Sequence, residues 1–282
     1  MSSPTFLTLA EYHSREEALR QASDIKTPLQ DLEKLACSAD ETVRTQVGRN
    51  GSTPSSSLAL LAEDISWRVR QAVAGNKTTP TASLLELVAD SDTNVVIALA
   101  KNPALPYAQL CHLATHQDMR VLETVADNPR TPPTVLEQLS EIQDRYIPQA
   151  VAHNDNTPPA TLTKLSNSTN DKVRSEVAAN SSTSIDTLLA LALNDDVDMV
   201  RNDAHLSLRR KSDNDWFATG MQLKQPFRST TFGDALLQLG FTSIYQKLLA
   251  MELQNKVSEH KANHSDTTQE QNPDLTPRSL RM

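Results

Sequence analysis

Six asparagines, Asn50, Asn76, Asn102, Asn128, Asn154 and Asn180, stand 26 residues apart with no slippage. The same step governs Thr27-Pro28, Thr53-Pro54, Thr79-Pro80, Thr131-Pro132 and Thr157-Pro158, with Leu105-Pro106 and Thr183-Ser184 in the two remaining slots. Two leucine series obey it as well, one running from Leu32 through Leu58 and Leu84 to Leu188, the other from Leu35 through Leu61 and Leu87 to Leu191. A fixed period of this length means stacked supersecondary units, because a unit so short cannot bury its apolar face alone and shares it with its neighbours. That requirement outranks every other property of the chain.

Each unit reads as two short helices. The first begins at Thr-Pro, with the threonine expected as N-cap and the proline at the first helical position, where its missing N–H costs nothing. Leucines three apart then form the buried stripe. The second helix is expected to start at Asp40, Ser66, Asp92, Asp118, Asp144, Asn170 and Asp196, all good capping types. Pairs such as Val43/Val47, Val69/Val73 and Val121/Val125 line one helical face at i, i+4. Gly48, Ala74, Ala100, Ala126, Ala152 and Ala178 follow, small enough for neighbouring helices to approach closely. The asparagine then closes the helix, since it tolerates the left-handed conformation and its amide can also bond the turn leading to Thr-Pro, and it is expected as a structural stop rather than a ligand-binding ladder. In the last unit Val200-Arg201 arrives one residue late, and the period fades near Leu208.

Four divisions follow. Residues 1–26 are a degenerate N-terminal capping repeat, with Phe6, Leu9 and Ala10 one period before Leu32, Leu35 and Ala36. Residues 27–208 are seven repeats of an all-α solenoid of short paired helices. Residues 209–256 hold an irregular segment around Trp216, Phe217, Gly220, Pro226 and Phe227, then an apolar helical region with Gly240 as its break. This region is expected to cap the array, with a partner-binding or dimerising helix as the alternative. Residues 257–282 turn polar and are expected to be disordered. The Arg209-Arg210-Lys211 cluster reads as solvated surface.

The unit Val69-Arg70, Val73-Ala74, Asn76, Thr79-Pro80, Leu84, Leu87 and Asp90 resembles the leucine-rich repeat variant family, and the likeness covers residues 27–208. The resemblance implies a right-handed superhelix of paired helices, HEAT-like and armadillo-like, with binding roles. The family's usual unit is shorter, so longer second helices or loops and a different twist are expected here. An iron–sulfur cluster belongs to the family's founding member; Cys37 and Cys111 are too few for one, so no cofactor is carried over.

Those two cysteines fall at different places in the repeat, which argues against a disulfide framework. No signal peptide or long apolar run is evident, and the expected location is cytoplasmic. The net charge is −8. Residues 209–282 hold 10 Lys+Arg and 8 Asp+Glu, leaving 17 and 27 for residues 1–208, so the array itself is acidic. A non-specific nucleic-acid binder shows the reverse.

Arg44, Arg70, Arg174 and Arg201 are expected to form an Asp/Arg ladder between neighbouring repeats. Val96, Leu122 and Pro148 replace the arginine in the middle units, pointing to a locally different surface there. Positions that do not repeat are the better functional candidates, since the fold does not dictate them. On the second helices these are Trp67, Arg68, Met119, Arg120, Arg145, Tyr146 and Lys172, whose aromatic, Met and Arg content suits an interface groove. His112 and His116 have metal-ligand spacing, but no third ligand of comparable quality repeats nearby, and no metal site is expected. No phosphate loop, nucleophile elbow or paired-carboxylate signature is present, so catalysis is not expected. The leading reading is a non-catalytic scaffold binding a protein or peptide; oligomeric state is undetermined. The alternative is a HEAT-like nucleic-acid-binding protein related to alkyl-base DNA glycosylases.

Overall fold

The structure is a computed structural model that describes residues 9–269. Helix α1 (Leu9–Ser23) precedes seven helix pairs. These are α2 (Leu29–Ala36) with α3 (Glu41–Arg49), α4 (Ser55–Ala62) with α5 (Trp67–Gly75), α6 (Thr81–Leu87) with α7 (Thr93–Ala100), and α8 (Tyr107–Leu113) with α9 (Met119–Asp127). Then come α10 (Pro133–Ser140) with α11 (Ile147–His153), α12 (Pro159–Leu165) with α13 (Asp171–Ala179), and α14 (Ile185–Asn194) with α15 (Asp198–Arg210). After α16 (Asp213–Ala218) a short antiparallel hairpin, β1 (Pro226–Phe227) and β2 (Thr230–Thr231), leads to α17 (Phe232–Gln238) and α18 (Thr242–Gln269). The chain divides into two compact units, Met1–Thr183 and Ser184–Met282.

In the first unit the second helices pack on one another in an unbroken row, α3 on α5, α5 on α7 and so on to α13, with α1 at its head. The first helices touch one another more sparsely. Small residues permit the close row: a Cβ placed on Gly48 would lie 3.2 Å from the Ala72 Cβ and 3.3 Å from Val73 Cγ2. The core is the periodic leucines and valines, with Leu32, Leu58, Leu84, Leu110, Leu136 and Leu162 all fully buried.

Two polar ladders hold the stack; the asparagine amide meets the turn before Thr-Pro as expected, but its backbone and its other bonds, and those of the threonine, differ. Five of the asparagines end their helix with extended rather than left-handed backbone, as at Asn50 (φ −70°, ψ 120°), while α7 ends one residue earlier, at Lys101 before Asn102. Each asparagine side chain instead reaches into the preceding repeat. Asn102 Nδ2 donates to the carbonyls of Ala74 (2.7 Å) and Asn76 (2.9 Å), while its Oδ1 accepts from the Ala104 N–H. Asn76, Asn154 and Asn180 repeat the pattern. All six asparagines are buried, so the amides are used up within the fold. The extended conformation wins because one amide can then meet two buried carbonyls, one at the preceding helix end, as Ala74 O, and one that also accepts a threonine N–H, as Asn76 O does from Thr79.

The threonines likewise do not cap. Pro28, Pro54, Pro80, Pro106, Pro132 and Pro158 occupy the N-cap position, with ψ near the 142° of Pro28. The threonine hydroxyl donates backwards, Thr53 to Val47 O and Thr79 to Val73 O, both at 2.6 Å. A residue before proline is biased to extended backbone, which turns its side chain toward the helix just ended. Proline at the start of the helix proper appears only where a second one follows, at Pro133 and Pro159.

Second-helix caps hold at Asp40, Ser66, Asp92, Asp118 and Asn170, each accepting from the N–H two residues on. Asp144 departs: α11 starts only at Ile147, and the Asp144 carboxylate accepts from the N–H groups of both Tyr146 and Ile147. Pro148 is the cause, since it lacks the N–H that Arg44 donates to Asp40 O in the regular unit. Asp196 departs as well, because the inserted residue moves the cap to Val197, whose N–H bonds Asp195.

In the second unit α14 and α15 pack together. The Phe241 ring lies 5.3 Å from His205 of α15 and 5.4 Å from buried Trp216. His205 Nε2 also meets Leu239 O at 3.0 Å, tying α15 to the turn before α18. Gly240 supplies that turn with φ +78°. Helix α18 continues to Gln269, where the polar composition predicts a disordered tail from Val257. Between Thr242 and Gln269 there is no proline or glycine, so a helix nucleated by the packed first turns propagates through the exposed residues 253–259. Phe6 and residues 270–282 lie outside the described residues.

Candidate functional site

The expected Asp/Arg ladder exists, though its acid comes from the end of the next repeat's first helix. Arg44 grips Asp64 through Nε–Oδ2 (2.6 Å) and Nη2–Oδ1 (3.1 Å), and Arg70 grips Asp90 at 2.6 and 3.0 Å. Arg15 of α1 pairs out of this register, with Asp40, the cap residue of α3. Each rung arginine also donates to the loop before its own helix, Arg44 to Ser38 O and Ala39 O, Arg70 to Asp64 O and Ile65 O. Burial raises the pKa of Asp64, but the bonds from Arg44 and the Ser66 N–H outweigh it and hold the carboxyl below its ordinary value. Asp90 behaves in the same way with Arg70 and the Asp92 N–H.

In the three slots after Asp90 arginine and acid disappear together. These slots pair Val96 with His116, Leu122 with Ile142, and Pro148 with Ser168. Val96 and Leu122 are buried, so these replacements change the packing between repeats and not, as the sequence led us to expect, the surface. Arg174 resumes the loop contact, donating to Ser168 O at 2.9 Å.

Five of the seven candidate side chains, Trp67, Arg68, Met119, Arg120 and Lys172, sit in the first turns of second helices, whereas Arg145 and Tyr146 stand just before α11. The Arg68 guanidinium lies 4.6 Å over the Trp67 ring and 3.7 Å from Glu41. Met119 is half exposed, and Arg120 folds back on its own cap residue, Asp118. Arg145 lies 5.5 Å from the Tyr146 ring. Tyr146 and Lys172 line one cleft, of about 440 Å³. Arg145 lines another, of about 650 Å³, and the remaining four line neither.

Sequence reasoning missed most of the smaller cleft. Its other walls are Glu123 and Asp127 of α9, Gln149, Ala150 and His153 of α11, and Glu176 of α13. Glu176 ties two of them, accepting from Gln149 Nε2 at 3.3 Å and meeting His153 Nδ1 at 3.1 Å. Burial raises the pKa of Glu123, with Asp127 and Asp144 adding like charge. The mass of the cleft also raises Asp127, although its own surface is open; His153 and Lys101 oppose the rise and Glu176 adds to it. The usable signal was the position just before each asparagine, which reads Arg49, Gly75, Lys101, Asp127, His153 and Ala179 and so does not repeat.

His116 Nδ1 accepts the Asp118 N–H at 3.0 Å, a local turn role. Among the described residues no group of three or more His, Cys, Asp or Glu side chains is placed to hold a metal. Cys37 and Cys111 are free and exposed. No described helix is long and apolar enough to cross a membrane.

Stacked two-helix units joined by buried side-chain ladders define a helical repeat protein. The family model for the leucine rich repeat variant matches residues 67–92, the unit of α5 and α6. Among solved structures, one titled a leucine-rich repeat variant with a novel repetitive protein structural motif is 22% identical, with 70% of this chain and 83% of that one covered and a TM-score of 0.50. An engineered protein matches at 16% identity over 84% and 91% of the two chains, TM-score 0.37. A computationally designed armadillo repeat protein for modular peptide recognition matches at 15% over 72% and 94%, TM-score 0.26. No curated protein matches. One unit of the chain, residues 67–92, thus matches the leucine rich repeat variant, and the fold is that of a helical repeat protein.

Proposed function

We propose that this protein is a non-catalytic, cytoplasmic scaffold that grips a protein or peptide along the second helices of its first unit. The observation that carries the reading is the smaller cleft. Three successive second helices contribute non-repeating side chains to it, namely Glu123, Asp127, Tyr146, His153, Lys172 and Glu176. Side chains that do repeat are spent inside the stack. A mixed set of aromatic, acidic, basic and amide groups on a rigid framework is how interfaces obtain both anchoring and specificity. The acids in the cleft oppose phosphate, which weighs against nucleic acid as the partner.

Panning a random-peptide display library on the full chain tests this. Selected peptides should bind the Tyr146→Ala, Glu176→Gln double variant at least roughly tenfold more weakly than wild type. Peptides that bind both proteins equally would overturn the assignment.

A further inference from the structure

The larger cleft sits at a rung that is missing. Pro148 stands where Arg44 and Arg70 stand in earlier repeats, and Ser168 stands where Asp64 and Asp90 stand. At the preceding slots, buried Val96 and Leu122 fill the arginine position. Here both partners have shrunk, and the space they leave is about 650 Å³, lined by Ile142, Gln143, Asp144, Pro148, Ser168 and others. The chain therefore supplies its own template for what this slot accepts. In two other repeats the equivalent space is filled by a guanidinium, whose Nη1 donates to two loop carbonyls, those of Ser38 and Ala39 or of Asp64 and Ile65. The matching carbonyls here are Ile142 O and Gln143 O.

We propose that this slot takes the arginine side chain of a bound protein segment, which completes from outside the rung the chain leaves open. The proposal rests on the scaffold reading and names the partner's chemistry. Asp144 supplies the negative charge that Ser168 no longer brings: bonds from the Tyr146 and Ile147 N–H groups keep its carboxyl below the ordinary range and so ionised at neutral pH. Two cations stand at the rim, and both are engaged, Lys164 with Glu141 and Arg145 against the Tyr146 ring. The walls of Pro148, Leu165 and Val173 suit the methylene stem of an arginine. A guanidinium fits better than an ammonium, because the carbonyl acceptors and the carboxylate are separate and call for a planar fork of donors.

The experiment is an NMR titration of the full isotope-labelled chain with N-acetylarginine amide and with its citrulline counterpart, which keeps the shape and loses the charge. Shifts are expected at Gln143, Asp144 and Ser168, with citrulline binding at least roughly tenfold more weakly. A Pro148→Arg, Ser168→Asp variant, which closes the rung in cis, should lose the shifts while keeping its helical circular dichroism. Equal shifts with citrulline, shifts confined to other residues, or persistent binding by the folded variant would each overturn the proposal. Should that variant not fold, the citrulline comparison on wild type decides. Library peptides that depend on Tyr146 and Glu176, with no arginine response at Gln143, would leave the scaffold standing and remove only the slot.

Discussion

Repeats up to Asp90 and repeats beyond it share a backbone and differ in what joins them. In the first stretch guanidinium–carboxylate rungs cross each boundary, Arg44 to Asp64 and Arg70 to Asp90. In the second, Val96, Leu122 and Pro148 take the arginine slot before Arg174 returns to it, and acidic side chains gather on the open side at Glu123, Asp127 and Glu176. The asparagine and threonine ladders run through both stretches. The difference teaches which interactions the fold requires: buried backbone carbonyls must be met in every repeat, whereas the ion pair is one of several ways to fill a gap. Where the rung is released, the residues around it are free to vary.

The largest expected effect is common to both stretches. Asn76→Ala in the first stretch and Asn154→Ala in the second each remove an amide that meets two buried carbonyls, and each should cost about 3 kcal/mol in urea unfolding. A much smaller loss in the second stretch would break the claim that the ladder is the shared element.

Next comes the rung itself. Arg70→Met should cost about 2 kcal/mol at neutral pH, mostly because Asp90 is left enclosed without its partner. Asp90 titrates below its unfolded value, so its stabilisation is full above the ordinary carboxylate range and is lost as pH falls through the depressed one. The gap between wild type and Arg70→Met should therefore narrow on acidification, whereas the penalty for Leu122→Ala, about 3 kcal/mol, should not change with pH. Thermal melts across that range check both.

The smallest effect has the opposite sign. Glu123 has a raised pKa, so ionising it disfavours the fold, and the penalty grows as pH rises through its range. Glu123→Gln should gain at most about 0.5 kcal/mol at neutral pH and nothing in acid. A neutral-pH loss would mean the cleft acids are structural after all.

Much of the fold was legible because the period forces each unit into the same geometry: helix positions, leucine and valine core and small residues all follow from one 26-residue pattern. What the pattern hides is which atom a polar side chain reaches. Asn50 and Thr53 were visible as punctuation, yet their partners lie up to 28 residues away, in Ala22 O, or behind them, in Val47 O, so local capping rules chose the wrong bonds. The candidate site was half legible for a related reason. Non-repetition located Tyr146 and Lys172, but only packing shows that Glu123, Asp127, His153 and Glu176 face the same cleft, while Arg120 turns back on Asp118. The open rung at Pro148 needed both halves of a pair 20 residues apart to be compared at once.

Hydrogen exchange by mass spectrometry on the full chain, with and without a library-selected peptide, tests the account most directly. Protection should rise in α9, α11 and α13 and stay unchanged in α3 and α5. Protection concentrated on α3 and α5, or spread evenly over all second helices, would contradict the claim that the repeats beyond Asp90 do the gripping.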